Sequence, residues 1–334
     1  MSKRTGNIGI YTAHGRLTLA MIKGKDFKSV SVDIPENIVS RGEIISKNLY
    51  ATFIRDTIKA NGFRAKNASF VIGADQVFIR NVKIPKMADE QIKYNLPFEF
   101  RDYIRGELKD YLYDYAYRPP MVEKNTEGDE QTLDLMAVAV PVEYFDNVSE
   151  IVQKAGLKLV KALPEVCVLE RLLKEFPTPE EQKIERCFLD IGNSATRLQI
   201  FKDGKYKLAQ LIDIGINHVN AAIADDMNID FELAKTYLNT KYENCDRSEA
   251  AMNAYRDISA EIIKGFNYYE MSDMSSRLNE VVIYGNGGMI EPLVELLKER
   301  ISMHVITMNE AFPQFNKDGM FNVMAASTGV LLDN

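Results

Sequence analysis

Two stretches of this chain share one layout, and that layout narrows the folds open to it. Arg186-Cys187-Phe188-Leu189-Asp190-Ile191-Gly192-Asn193-Ser194-Ala195-Thr196-Arg197-Leu198-Gln199-Ile200-Phe201 is an apolar run ending in Asp-Ile-Gly, a turn of small polar residues, and a second apolar run. It reads as a strand, a tight turn and an antiparallel strand. Residues 6–20 repeat the scheme, with Gly9-Ile10-Tyr11-Thr12-Ala13-His14-Gly15 at their centre. A chain whose two halves each open on such a hairpin is expected to be a duplicated α/β fold. The repeat is imperfect: Tyr11 stands where the second copy has Asp190, and Ala13 where it has Gly192. A third element follows near the end. Glu280-Val281-Val282-Ile283-Tyr284 reads as a strand, Gly285-Asn286-Gly287-Gly288 as a glycine-rich turn, and residues 292–300 as an amphipathic helix.

These turns have a chemical reading and a plain one. Backbone N–H groups and small hydroxyls at residues 192–196 can hold phosphate oxygens, and Asp190 at the turn's mouth can hold a hydrated Mg²⁺. The same Asp and Gly also serve ordinary hairpin geometry. Glycines at 285, 287 and 288 let backbone approach a flat ligand, and the helix that follows presents its N-terminus to anions.

Hydrophobic periodicity organises the remainder. Residues 7–34 read as two or three strands, and 48–61 as a helix with Leu49, Phe53, Ile54 and Ile58 at helical spacing. Strands are expected at 69–72 and 77–83, and a helix over 89–100 interrupted by Pro97. Strands at 112–118 and 132–140 flank residues 119–131, read as an exposed hairpin loop. Helices are expected at 142–154 and 163–176, and Pro177-Thr178-Pro179-Glu180-Glu181 as the boundary between halves. The second half continues with strands over 187–214, helices near 219–227 and 231–238, and a long helix over 248–271.

Composition excludes several classes. A net charge of −7 leaves no dominant basic surface, which argues against nucleic-acid binding. Cys167, Cys187 and Cys245 are odd in number and widely spaced, so neither a disulfide framework nor a zinc site is expected. There is no apolar signal region, and no window approaches the roughly 20 apolar residues of a spanning helix. His218 and His304 have no carboxylate or cysteine at ligand spacing and read as structural, and His14 reads as an exposed turn histidine, with contact to a phosphate as the alternative.

Taken in order, these motifs resemble the actin-like ATPase superfamily. Within it, the chain is similar to the PilM family of type IV pilus assembly, related to FtsA. Further stretches carry the resemblance: Ile34-Pro35 with Arg41-Gly42-Glu43-Ile44-Ile45, Phe78-Ile79-Arg80-Asn81-Val82-Lys83-Ile84-Pro85-Lys86-Met87, Tyr113-Asp114-Tyr115-Ala116-Tyr117, Ala155-Gly156-Leu157, and Phe231-Glu232-Leu233-Ala234-Lys235. The resemblance implies an actin-like, ribonuclease H-like two-lobe fold. Its lobes would be residues 1–180 and 181–334, with a small α/β insertion subdomain at about 82–159. It places Thr12, Ala13 and His14 on the first phosphate loop and Asp190, Gly192, Asn193, Ser194 and Thr196 on the second. Gly285, Gly287 and Gly288 fall on the adenosine turn, Glu232 and Lys235 beside base and ribose, and Asp190 at the metal. The cofactor implied is ATP or ADP with Mg²⁺, or an empty site. Tyr11 cannot hold hydrated Mg²⁺ as a carboxylate does, and phosphoryl transfer depends on positioning and metal charge, so hydrolysis is expected to be weak or absent.

The partner implied is the cytoplasmic N-terminal peptide of a PilN-like bitopic membrane protein, together with other pilus assembly proteins. The chain would then be cytoplasmic and reach the inner membrane only through partners. Tyr94, Phe98, Phe100, Tyr103, Tyr111, Tyr113, Tyr115 and Tyr117 crowd the insertion. They are either a peptide-accepting surface or the core of a small subdomain, since Tyr113, Tyr115 and Tyr117 alternate on one strand face. The alternative functional reading is an active actin-fold ATPase or small-molecule kinase, against which Tyr11 counts. An FtsA-like polymer would need an amphipathic membrane helix that residues 328–334 do not supply.

Overall fold

The computed structural model describes residues 6–24, 26–35, 37–40, 43–118, 123–124, 131–272 and 276–333. They fall into two compact units. One takes in the described residues of Met1–Asn7 and Pro35–Glu165, the other those of Ile8–Ile34 and Val166–Asn334. Both hairpins read from the sequence belong to the second unit, which holds the candidate site.

In that unit the strands Asn7–Ala13 (from Ile8 on), Arg16–Lys23 and Asp26–Asp33 form an antiparallel meander. Ala13 pairs with Arg16, so His14 and Gly15 alone make the first turn. Both have positive φ, 54° and 75°, as the two-residue turn favoured by twisted hairpins requires. A second sheet runs in the order Lys205–Ile212, Thr196–Lys202, Arg186–Ile191, Glu280–Tyr284, His304–Thr307. Its central strand, Arg186–Ile191, is buried at every position. It pairs antiparallel with Thr196–Lys202 and parallel with Glu280–Tyr284. A strand with both faces covered is expected to be continuously apolar, and Cys187, Phe188, Leu189 and Ile191 comply. The helices Ile216–Met227, Phe231–Thr240, Glu249–Ser272 and Glu291–Arg300 build one core against this sheet. The helix Phe321–Gly329 lies on the meander.

In the other unit, Asn67–Ile72 and Lys158–Pro164 pair in parallel, and the helices Lys47–Ala60 and Val142–Lys154 pack on each other. The insertion is a small sheet. Gln131–Pro141 lies between Phe78–Pro85 and Tyr111–Tyr117, and the short strand Glu123–Lys124 pairs with its beginning. The helix Asp89–Asn95 tightens into a 3₁₀ turn at Leu96–Phe100, where Pro97 lacks the N–H an α-helix would use. Ile92, Leu96, Phe100, Leu133 and Leu135 form the subdomain's own core.

The structure changes one element of the sequence reading. The helix expected over 163–176 is Glu165–Leu173, and the residues before it, Lys158–Pro164, are a strand. A register shift between Leu159 and Lys161 breaks its period-two pattern, which hides it from alternation alone. Arg41 and Gly42 lie outside the described residues, as does all of the 119–131 loop except Glu123, Lys124 and Gln131.

Arg186 is wholly buried, with Nε 2.9 Å from Glu280 Oε1 and its guanidinium carbon 3.7 Å from the centre of the Phe176 ring. Removing one partner of a buried pair strands the other's charge. Arg186→Ala is therefore expected to cost about 3–5 kcal/mol, read as a lowered midpoint in urea unfolding at unchanged slope. A loss under about 1 kcal/mol, typical of an exposed pair, would contradict it.

Candidate functional site: three turns around Asp190

Asp190 is the penultimate residue of the central strand, and its side chain is 2% exposed. A buried carboxylate must find partners or cost several kcal/mol. Two flank it. His14 Nε2 lies 3.0 Å from Oδ1, within hydrogen-bond distance. Arg197, directly opposite in the hairpin register, puts a guanidinium nitrogen 3.8 Å from Oδ2.

His14 also engages through its backbone. Its carbonyl accepts from Asn193 Nδ2 at 3.0 Å and from Asn286 Nδ2 at 3.4 Å, while Asn286 Nδ2 donates to Asn193 Oδ1 at 2.9 Å. One residue of the first turn thus joins the second turn and the glycine turn. The ring of His14 rests against Gly192, where any β-carbon would strike it.

The glycine turn is held from both sides. Gly285 has φ 79°, and a β-carbon there would collide with Asp190 Oδ1. Asn322, at the start of the helix Phe321–Gly329, is buried and fully used. Its Nδ2 donates to Gly288 O at 2.6 Å, and its main-chain oxygen accepts from Gly285 N at 2.9 Å. It also exchanges two hydrogen bonds with Asn309, of 2.9 and 3.0 Å. Beside these turns lies a small cavity lined by Tyr11, Ala13, His14, Asn286, Asn322 and Ala326, among others.

Of the residues expected at a nucleotide, Ala13, His14, Asp190, Gly192, Asn193, Gly285, Gly287 and Gly288 gather here. Gly287 is pressed against Ile191. Thr12 is half-buried on the first strand. Thr196 Oγ1 donates to Ile214 O at 2.7 Å, and Ser194 Oγ accepts from Asn217 at 3.3 Å. Glu232 and Lys235 face solvent on the helix Phe231–Thr240, paired with each other at 3.5 Å, and do not line the cavity. Sequence reasoning left out Arg197, Asn286 and Asn322, and it read His14 as an exposed turn residue. That side chain is only 23% exposed. His218 and His304 likewise have carboxylate partners in the fold, Asp257 at 3.0 Å and Glu280 at 3.2 Å. Among the described residues no group of three or more His, Cys, Asp or Glu could hold a metal ion.

The insertion presents a second candidate surface. Tyr94 is 75% exposed, and Phe98, Tyr103 and Tyr117 also reach solvent, whereas Phe100 is fully buried and Tyr111, Tyr113 and Tyr115 pack against the subdomain core. Tyr94 meets Phe98 edge-on at 6.2 Å, and the Arg80 guanidinium sits 4.3 Å from the Tyr103 ring centre. The hydrogen bond from the Tyr117 hydroxyl holds the Asp89 carboxyl below its ordinary pKa and pushes the phenol up. The eight aromatics therefore divide between core and surface.

A sequence model of the type IV pilus assembly protein PilM family matches residues 25–322. The chain belongs to the PilM family. None of the curated proteins matches the sequence. Among solved structures, the PilM–PilN type IV pilus biogenesis complex is similar over 98% of this chain and 99% of that one, at 19% identity and a TM-score of 0.77. Ethanolamine utilization protein EutJ from Carboxydothermus hydrogenoformans follows at 12% identity and 0.57, over 98% and 88%. An archaeal actin homolog gives 12% and 0.51, over 98% of each chain. The fold of this PilM-family chain is therefore actin-like. No described helix is long and apolar enough to cross a membrane.

Gly285→Ala is expected to destabilise by more than about 2–3 kcal/mol, since it adds a collision with Asp190 to a left-handed backbone. Gly15→Ala has similar φ but open space around the new methyl, and is expected to cost only about 1–2 kcal/mol. Paired chemical denaturation curves check the ordering; equal losses would contradict it.

Proposed function

We propose that this PilM-family chain is a cytoplasmic scaffold of type IV pilus assembly. On this reading it docks the cytoplasmic N-terminal peptide of a PilN-like inner-membrane protein, and through that partner and other pilus proteins it stays at the membrane without entering it. The family match over residues 25–322 carries the reading. Its support is the likeness, along nearly the whole chain, to the protein solved in the PilM–PilN complex. The solvent-facing aromatics of the insertion supply what a peptide with apolar anchors requires, large rigid faces with cations at their rims. Lobes at 1–180 and 181–334 belong to the same proposal.

The three turns around Asp190 are read as a degenerate nucleotide site taking ATP or ADP. Its catalytic equipment is incomplete: the first hairpin offers Tyr11, buried on its first strand with its carbonyl accepting from Thr18, in place of an acid. We expect Mg²⁺-dependent ATP turnover no greater than that of Asp190→Ala, measured as steady-state phosphate release. Turnover clearly above that control would instead favour an active actin-fold ATPase.

The docking surface has its own test. In titration calorimetry with the N-terminal peptide of a PilN-like bitopic membrane protein, Tyr94→Ser with Phe98→Ser is expected to weaken binding by about ten-fold or more. A control substitution at Tyr268, an exposed tyrosine of the other unit, should change nothing. No binding by the unaltered protein at high micromolar peptide would count against the scaffold reading.

A further inference from the structure

We infer that His14 takes the place of a divalent cation on Asp190, so that any nucleotide held by these turns is held without metal. The inference rests on the nucleotide reading of the three turns. It goes beyond it by assigning to one residue the site's metal specificity.

Mg²⁺ keeps most of its waters and reaches protein carboxylates directly or through one of those waters. Either mode needs open space in front of a carboxylate oxygen. At Asp190 Oδ1 that space holds the His14 ring, with Nε2 at 3.0 Å. Gly285 closes the next side, so tightly that a methyl group there would touch Oδ1. Oδ2 faces the Arg197 guanidinium at 3.8 Å. Asp190 is 2% exposed, which removes access by a hydrated ion from solvent.

His14 is not a side chain that happens to lean inward. Its carbonyl is fixed by Asn193 and Asn286, and its ring packs on Gly192. The turn that carries it is a two-residue turn, which fixes its direction. The first hairpin carries Tyr11 rather than an acid, and His14, three residues on, sets its ring nitrogen against Asp190. The first turn thus supplies a partner for the carboxylate of the second hairpin.

The variant His14→Asn suits the test. Asn tolerates the positive φ, and Asn-Gly is the favoured pair for this hairpin turn, so the turn survives while the imidazole is withdrawn. ADP is titrated into both proteins by calorimetry, once with Mg²⁺ and once with EDTA. Wild type is expected to show the same ADP affinity, or the same lack of binding, in both buffers. His14→Asn is expected to bind ADP about ten-fold or more tightly with Mg²⁺ than with EDTA. A gain of that size in wild type would overturn the inference and leave the nucleotide reading intact. Indifference to Mg²⁺ in a His14→Asn protein that binds ADP would also overturn the inference alone. No binding by either protein in either buffer would overturn both. If His14→Asn does not fold, the wild-type comparison still decides: dependence on Mg²⁺ contradicts the inference, and binding equal in both buffers supports it.

Discussion

A single carboxylate, buried at the end of the central strand, organises one compact unit of this protein. Asp190 cannot be left alone in a nearly dry position. Its partners come from places far apart in the chain: a histidine on the first hairpin turn and an arginine across its own hairpin, with a glycine of a third turn pressed close. Each demand produces another. His14 reaches Asp190 from a two-residue turn in which both residues are left-handed. Gly285 must clear Oδ1, so it carries no side chain. The glycine turn is then too bare to hold itself, and Asn322 supplies the hydrogen bonds. The three turns are thus tied directly to one another.

Much of this was legible in the residues. Strand–turn–strand, twice, and strand–glycine turn–helix, once, follow from runs of apolar residues broken by Gly and small polar residues, because strands and turns have local signatures. Pairing between distant residues has none. His14 and Asp190 are 176 positions apart, and nothing in the neighbourhood of either indicates the other, so His14 read as a solvent-facing turn. Asn322 was invisible for the same reason. His218 and His304 find Asp257 and Glu280 only once helices and strands are packed. The strand Lys158–Pro164 escaped for a different cause: its register shift disturbs the alternation by which strands are recognised.

The insertion shows how far composition reaches. Eight aromatics in one segment mark it as special, and alternation places Tyr113, Tyr115 and Tyr117 on one face. Which rings outside the strand turn inward depends on the 3₁₀ turn at Pro97. That turn sends Leu96 and Phe100 to the core and leaves Phe98 at the surface beside Tyr94. A subdomain with a core of its own can keep such rings exposed without losing its fold.

The dependence of Asp190 on His14 is most directly tested by a double-mutant cycle in chemical denaturation, with His14→Asn, Asp190→Asn and the pair. If the two side chains hold each other in the folded state, the cycle will return a coupling of about 1–3 kcal/mol. Additivity within about 0.5 kcal/mol would mean that the carboxylate is supported elsewhere and that the first turn does not fasten the second.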